Sequence, residues 1–127
     1  MAMFPVAVDF VAGRPNRSRV LAAASTNATN LKSKPGNLYG FYFENNAAYD
    51  VYVKFYDKAS APTVGTDVPV FTVKVPTGSN ASPATMMLDG LGTAFANGIS
   101  YAATKLFADT DTTVLVANDV QGFILWK

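Results

Sequence analysis

The sequence contains no cysteine and no histidine among its 127 residues. Without thiols the chain has no disulfide, no thiolate metal ligand and no cysteine nucleophile. Without imidazole it lacks the commonest zinc ligand and the base of a Ser-His-Asp triad. Most metal centres and most hydrolase mechanisms are therefore excluded, and we expect no cofactor, no metal site and no enzymatic activity.

Charged residues are also scarce. They make up 15% of the chain, whereas about 25% is ordinary for a soluble domain. Half of the residues are hydrophobic, which rules out a disordered chain and supplies enough apolar surface for one domain with its own core. A folded domain with so few charges is expected to present part of its surface to other proteins, and we expect a homo-oligomer or a larger assembly.

Long hydrophobic runs are missing as well. No segment approaches the roughly 20 apolar residues that span a bilayer, and the first apolar stretch, residues 3–12, is interrupted by Pro5 and Asp9. The basic residues follow this stretch, whereas a secretory signal places them before it. The sequence thus predicts no membrane partner and no export through a signal peptide.

The few charges are unevenly distributed along the chain. Residues 1–34 carry five basic side chains and one acidic side chain, a net charge of +4, and residues 35–127 carry five lysines against eight acids, a net charge of −3. Because the overall charge is only +1, the chain lacks the broad basic face that phosphate binding uses. We therefore expect no nucleic-acid partner.

The positive charge near the N-terminus suggests an interaction segment. We interpret residues 1–25 as an extended N-terminal arm outside the core, which begins at residue 26. In this interpretation the arm docks on a neighbouring subunit, and a solvated mobile terminus is the alternative. The anchors of the arm are two apolar residues, Phe4 and Val6, and three basic residues, Arg14, Arg17 and Arg19.

Two central segments show the alternation of apolar and polar residues that is typical of half-buried strands. Residues 44–48 between them have the composition and length of a hairpin turn, which predicts that the two strands pair with each other in antiparallel orientation. The side chains expected to point inward are Tyr39, Phe41 and Phe43 in the first strand and Tyr49, Val51, Val53 and Phe55 in the second.

Further short candidate strands are separated by clusters of glycine, asparagine and aspartate. A spacing of about 8 to 12 residues between short strands is typical of two sheets packed face to face. We therefore predict an all-β fold: a single-domain antiparallel β-sandwich over residues 26–127, of the jelly-roll type. The further candidate strands are residues 20–24, 28–32, 68–75, 84–88, 99–105, 113–117 and 122–126.

One segment carries the residue types of a metal loop. Asp109-Thr110-Asp111 spaces two carboxylates as a calcium-binding loop does, but Val114 occupies the position of the required glycine. The segment is better explained as a tight turn in which the Asp and Thr side chains accept hydrogen bonds from the backbone.

The sixteen aromatic residues allow two interpretations. Alternation places Tyr42, Tyr52 and Tyr56 on the faces opposite Phe41, Val53 and Phe55. These tyrosines are either part of an interface with another subunit, where a tyrosine ring packs while its hydroxyl finds a partner, or a sugar-stacking platform of a carbohydrate-binding module. The low charge fraction favours the interface.

Five segments of the chain together carry a resemblance to known proteins. They are Asn37-Leu38-Tyr39-Gly40, Val51-Tyr52-Val53-Lys54-Phe55-Tyr56-Asp57-Lys58-Ala59, Ala61-Pro62-Thr63-Val64-Gly65-Thr66-Asp67-Val68-Pro69-Val70, Gly98-Ile99 and Ala108-Asp109-Thr110-Asp111-Thr112-Thr113. These segments resemble a family of small accessory virion proteins encoded by tailed phages and prophages. The similarity extends from about Thr26 to the C-terminus.

The resemblance implies a structural role in the virion. Phage head-decoration or cement proteins often have jelly-roll or related sandwich folds, so the resemblance implies a protein that stabilises the head by binding neighbouring capsid subunits. The expected partners are the major capsid protein or other virion subunits, and the expected location is the virion, assembled in the bacterial cytoplasm. A tail, neck or baseplate component is the alternative. No catalytic or ligand-binding residues are carried over from the family.

Overall fold

The computed structural model describes residues 14–78, 83–87 and 92–127. These residues contain no helix, and therefore no helix that could cross a membrane. They form two antiparallel sheets packed face to face, which confirms the all-β sandwich. The strands are β1 (Asn16–Leu21), β2 (Thr29–Lys32), β3 (Gly36–Asn45), β4 (Val51–Asp57), β5 (Phe71–Val75), β6 (Ala84–Met87), β7 (Thr93–Phe95), β8 (Ile99–Thr104) and β9 (Val120–Trp126).

Sheet A has the strand order β1-β9-β3-β6, and β7 pairs with β3 beside β6. Sheet B has the order β2-β8-β4-β5. Most consecutive strands lie in different sheets, so the chain repeatedly crosses from one layer of the sandwich to the other. This topology makes β1 and β9, near opposite ends of the sequence, direct neighbours.

The core lies between the sheets, on the faces that the alternation predicted. Phe41 and Phe43 of sheet A and Phe55 of sheet B are buried, and the Phe41 ring centroid lies 5.1 Å from that of Phe43 and 5.8 Å from that of Phe55. The inward orientation expected for Tyr39 is wrong, because Leu38 is fully buried and Tyr39 only half-buried. A register shift between Leu38 and Gly40 moves the alternation by one residue at this point.

The predicted hairpin between β3 and β4 does not form, since the two strands belong to different sheets. The connection crosses the sandwich and is held by the buried amide of Asn45. This side chain donates hydrogen bonds to the carbonyl oxygens of Tyr49 (2.8 Å) and Val75 (3.0 Å), and its oxygen accepts one from the backbone N–H of Ala47 (2.8 Å). These three hydrogen bonds tie the end of β3 to the connection and to the end of β5.

Two other candidate strands also differ. Residues 113–117 are irregular, although Leu115 is buried in the core and its N–H donates to the carbonyl oxygen of Ser25 (3.1 Å). The strand expected at 68–75 begins only at Phe71, after Pro69, which has no N–H for a ladder.

The N-terminal part of the sandwich also differs from the expectation. Strand β1 pairs with β9 along its whole length, and Val20 and Ala22 are buried. Among the described residues the sandwich therefore begins at Asn16, before the boundary expected at residue 26, and the interpretation of 16–25 as an arm is wrong. Residues 1–13, with Phe4 and Val6, lie outside the described residues.

Candidate functional site

A concave surface lies on the outer side of sheet A, where β1, β9 and β3 are adjacent. Its volume is about 340 Å³, and it is lined by Arg17, Arg19, Gly122 and Phe123. The strand register places Phe123 between Arg19 on β1 and Tyr42 on β3. We call Arg17, Arg19, Phe123 and Tyr42 the arginine–aromatic face.

Alternation along β1 produces the basic part of this face. Val20 points into the core, so Arg17 and Arg19 point to solvent, where both are exposed. Ser18 lies on the other side of β1, and its hydroxyl accepts a hydrogen bond from the indole N–H of Trp126 (2.9 Å). The polar sequence of β1 thus supplies one partly buried hydrogen-bonding side chain, Ser18, and two outward cations.

Gly122 brings β9 and β3 unusually close beneath the face. A Cβ atom at this position would collide with the carbonyl oxygen of Tyr42. The next residue, Phe123, stacks on the Tyr42 ring with centroids 5.6 Å apart and planes 7° from parallel. The absence of a side chain at Gly122 therefore permits the strand contact on which this aromatic stack is built.

The Tyr42 hydroxyl is fixed by a carboxylate on its own strand. It donates a hydrogen bond to Glu44 Oε2 (2.6 Å). This hydrogen bond is the main cause that raises the pKa of Tyr42, with smaller contributions from desolvation and from the charge of Glu44. The phenol thus stays protonated and oriented, and both rings of the stack are half-buried.

Neither Arg17 nor Arg19 forms an ion pair with another residue in the described part of the chain. The ion pairs within the described ranges are Lys58–Asp67 (2.5 Å) and Lys74–Asp50 (3.5 Å), and neither includes Arg17 or Arg19. A guanidinium forms paired hydrogen bonds with a carboxylate. Two unpaired guanidinium groups beside a stacked aromatic pair therefore suit a partner surface that carries carboxylates. Arg14, the third predicted arginine, is exposed just before β1.

The other two tyrosines of the predicted interface lie in sheet B. Tyr56 is 1% exposed and is covered by its own chain, so its predicted role at an interface is wrong. Burial is the main cause that raises its pKa, and the charges of Asp109 and Asp67 in the covering segments add to the effect. Tyr52 is half-buried and makes an edge contact with Phe107, with ring centroids 5.8 Å apart.

The segment after β8 closes over this side of sheet B. Lys54 is fully buried on β4 and donates a hydrogen bond to the carbonyl oxygen of Ala108 (2.6 Å), and burial lowers the pKa of Lys54. The carboxylate of Asp111 accepts hydrogen bonds from the N–H groups of Leu106 (3.2 Å) and Thr113 (3.3 Å) and from the Thr113 hydroxyl. For Asp111 the expected turn-forming role is thus confirmed.

Sequence reasoning missed a second exposed surface. Four apolar side chains project from the irregular segment 105–117, which was expected to be partly strand. The sequence Val114-Leu115-Val116 is apolar at all three positions, so it gave no signal that Leu115 is buried and its two neighbours are exposed. We call this surface the apolar loop. Its exposed side chains are Leu106, Phe107, Val114 and Val116, which are between 52% and 65% exposed.

Across residues 14–78, 83–87 and 92–127, no group of three or more acidic, histidine or cysteine side chains is arranged to hold a metal ion. No family model, curated protein or solved structure matches the chain. The binding properties of the arginine–aromatic face are therefore inferred from its own chemistry.

Proposed function

We propose that this protein is a non-enzymatic structural component of a tailed-phage virion, and specifically a decoration (cement) protein that binds neighbouring capsid subunits. The arginine–aromatic face is the observation that carries the proposal. Arginine and large aromatic side chains are enriched in protein interfaces relative to the rest of the protein surface. Here Arg17 and Arg19 are unpaired with any described carboxylate and lie beside a half-buried stack of Tyr42 and Phe123.

The strand order supports this proposal. Strands β6 and β7 both pair with β3, so they can be counted as one interrupted strand, and the sandwich then has four strands in each sheet. We infer that the fold is a jelly roll, an architecture that occurs in viral capsid proteins and also in lectins. The resemblance of the chain from Thr26 onward to accessory virion proteins favours the viral assignment.

Exposed apolar side chains give further support. The apolar loop exposes four large side chains, and Leu21, next to the arginine–aromatic face, is 45% exposed. A virion subunit makes contacts on more than one side, with the capsid and with copies of itself. The proposal therefore includes a homo-oligomer on the particle, the major capsid protein as partner, and assembly in the bacterial cytoplasm.

Particles that lack this protein provide the test. Purified full-length chain is added to particles of a phage from which its gene has been deleted, and the bound protein is located by cryo-electron microscopy. We expect saturable density over the capsid and greater resistance of the heads to heat. Density on the tail, neck or baseplate would assign it to those structures instead, and no bound protein would contradict a virion role.

Matched variants connect this test with the proposed face. Arg17→Glu combined with Arg19→Glu changes the net charge by the same amount as Lys34→Glu combined with Lys74→Glu, and all four positions are exposed. We expect only the arginine pair to weaken particle binding. Equal loss in both double variants would show that net charge, and not this face, controls binding.

A carbohydrate-binding module is the second candidate. The concavity of about 340 Å³ beside the half-buried Tyr42–Phe123 stack is the observation that favours it, since sugars pack on aromatic rings. Binding to an immobilised glycan panel that is lost on Tyr42→Ala, without binding to particles, would support this alternative.

A further inference from the structure

Strand β1 forms one edge of sheet A. Its only strand partner within the described parts of the chain is β9. An exposed strand edge presents unpaired N–H and C=O groups, onto which a further strand can add. The edge of β1 is therefore a surface distinct from the sheet face, although the two meet at Arg17 and Arg19.

The hydrogen bonds beyond the end of β1 show which backbone groups point outward. The N–H of Ala22 donates to the carbonyl oxygen of Val120 (2.8 Å), and its carbonyl oxygen accepts from the N–H of Asn118 (2.7 Å). In an antiparallel ladder alternate residues direct both groups to the same neighbour. Since the register runs without a shift to Asn16, the even-numbered residues of β1 bond to β9. The residues whose backbone groups point away from β9 are Arg17, Arg19 and Leu21.

The outward backbone groups and the free guanidinium groups thus belong to the same residues. A strand added to this edge would place alternate side chains on the outer face of sheet A, beside Arg17 and Arg19. If β1 of a second copy were added, arginines would lie against arginines, and like charges on neighbouring strands are destabilising. Charge complementarity therefore selects a different occupant with acidic side chains at alternate positions.

We infer that the edge of β1 accepts an extended segment of a partner protein, which adds to sheet A as a further strand and pairs its carboxylates with Arg17 and Arg19. The exposed side chain of Leu21 provides an apolar contact at one end of this segment. The inference rests on the proposed function for the source of the segment, which is a virion subunit. The chemistry of the segment follows from β1 itself.

Backbone hydrogen exchange of the full-length chain tests the inference directly. The probe is a capped peptide of alternating threonine and glutamate, and the control peptide has lysine in place of glutamate. We expect the amides of Arg17, Arg19 and Leu21 to exchange rapidly in the free chain. With the glutamate peptide bound, their exchange rates should fall by a factor of roughly ten or more. The amides of Ser18 and Val20, which face β9, should be protected in both states.

Any of five outcomes would overturn the inference. The edge is already occupied if the three amides are protected in the free chain. If the glutamate peptide binds without changing the protection of these amides, it does not add as a strand. The same conclusion follows if the peptide does not bind. If a single-stranded oligonucleotide displaces the peptide, the site binds polyanions in general. If the lysine peptide binds equally well, the site does not select acidic side chains.

Leu21→Pro separates this inference from the proposed function. Proline at this position removes the outward N–H of Leu21 and leaves every hydrogen bond between β1 and β9 in place. Edge strands tolerate proline at such positions. We expect the variant to decorate particles at least about tenfold more weakly, with an unchanged circular dichroism spectrum. Unchanged decoration would contradict strand addition and leave the proposed function intact. Peptide binding without any particle binding would contradict the proposed function alone. If the variant does not fold, the exchange experiment on the natural chain decides.

Discussion

At the scale of single residues, Phe55 lies at the centre of the packing between the sheets. It is fully buried, and its ring centroid lies 5.8 Å from that of Phe41 and 5.0 Å from that of Phe71. Phe55→Ala should lower the free energy of unfolding by about 3 to 5 kcal/mol, because it removes apolar contacts and leaves a cavity. Val70→Ala, at a position 53% exposed, should change it by less than about 0.5 kcal/mol. Urea denaturation of both variants measures the difference, and equal costs would mean that the core is elsewhere.

Asp57 couples the stability of the loop before β8 to pH. Its carboxylate accepts hydrogen bonds from the N–H groups of Asn97 (2.7 Å), Ala96 (3.1 Å) and Gly98 (3.3 Å). The bond from Asn97 is the largest of the causes that lower the pKa of Asp57. The folded state therefore binds this proton less readily than the unfolded state. The contribution to stability is present above the unfolded pKa of about 4 and is lost as the pH falls through the folded value.

Asp57→Asn should remove this acid-sensitive part of the stability. We expect the free energy of unfolding of the natural chain to decrease more steeply than that of the variant between about pH 4 and pH 2. Chemical denaturation at a series of pH values measures both slopes. Parallel curves would show that the three backbone contacts do not depend on the charge of Asp57.

At the scale of elements, the turn at 106–113 depends on one carboxylate of a pair. Asp111 accepts hydrogen bonds from Leu106 and Thr113, whereas Asp109 is exposed. Asp111→Ala should lower the free energy of unfolding by about 1 to 3 kcal/mol, because it leaves polar groups unpaired. Asp109→Ala should change it by less than about 0.5 kcal/mol.

A second measurement tests whether these carboxylates bind a metal ion. If they only accept hydrogen bonds within the turn, the melting temperature of the protein is the same in EDTA and in calcium. A calcium-dependent shift that both substitutions abolish would restore the metal interpretation.

The alternation of residues predicted the faces of the central strands but not their partners. Phe41, Phe43, Val53 and Phe55 point inward as expected, because a period of two fixes which side of a strand is apolar. The same pattern is compatible with a hairpin or with a crossing between sheets. Nothing in the sequence around Asn45 distinguishes a turn residue from a buried amide that joins three segments. The bulge that reverses Leu38 and Tyr39 is likewise decided by pairing with β9, far away in sequence.

Strand β1 is expected to contribute to the stability of the sandwich, although the sequence of residues 16–21 is mostly polar. A chain shortened to begin at Ala22 loses the ladder with β9 and the buried side chain of Val20. We expect it to be less stable than a chain that begins at Asn16 by roughly 3 kcal/mol, since one valine side chain and several hydrogen bonds are lost. Thermal and urea unfolding of the two truncated chains give the difference. Equal stability of the two chains would show that β1 does not contribute to the stability of the sandwich.

At the scale of the whole molecule, the sequence located the two arginines and Tyr42 of the candidate site but not Phe123. Arg17 and Arg19 were predicted from the charge imbalance alone. Tyr42 was grouped with Tyr52 and Tyr56, although the first lies on sheet A and the other two on sheet B. The partner of Tyr42 on the site is Phe123, about eighty positions away in the sequence, which only the pairing of β3 with β9 brings into contact.

The combination of charge and aromatic contact predicts two separable effects on particle binding. Charges at the rim of an interface mainly govern the association rate and its salt dependence, whereas buried aromatic anchors carry most of the affinity. Arg17→Ala with Arg19→Ala should therefore weaken binding at low salt, have little effect at high salt and reduce the slope of log Kd against log salt concentration. Tyr42→Ala should weaken binding at every salt concentration and leave the slope unchanged.

Lys34→Ala with Lys74→Ala provides the matched control, because it removes the same charge from exposed positions away from the face, and the exposed Lys74–Asp50 ion pair that it breaks contributes little to stability. Binding isotherms of the four proteins on particles, at several salt concentrations, give the slopes and the affinities. We expect the lysine pair to behave as the natural chain does. If it reduced the slope as much as the arginine pair, the salt dependence would belong to the net charge of the molecule, and β1 would have no special part in docking.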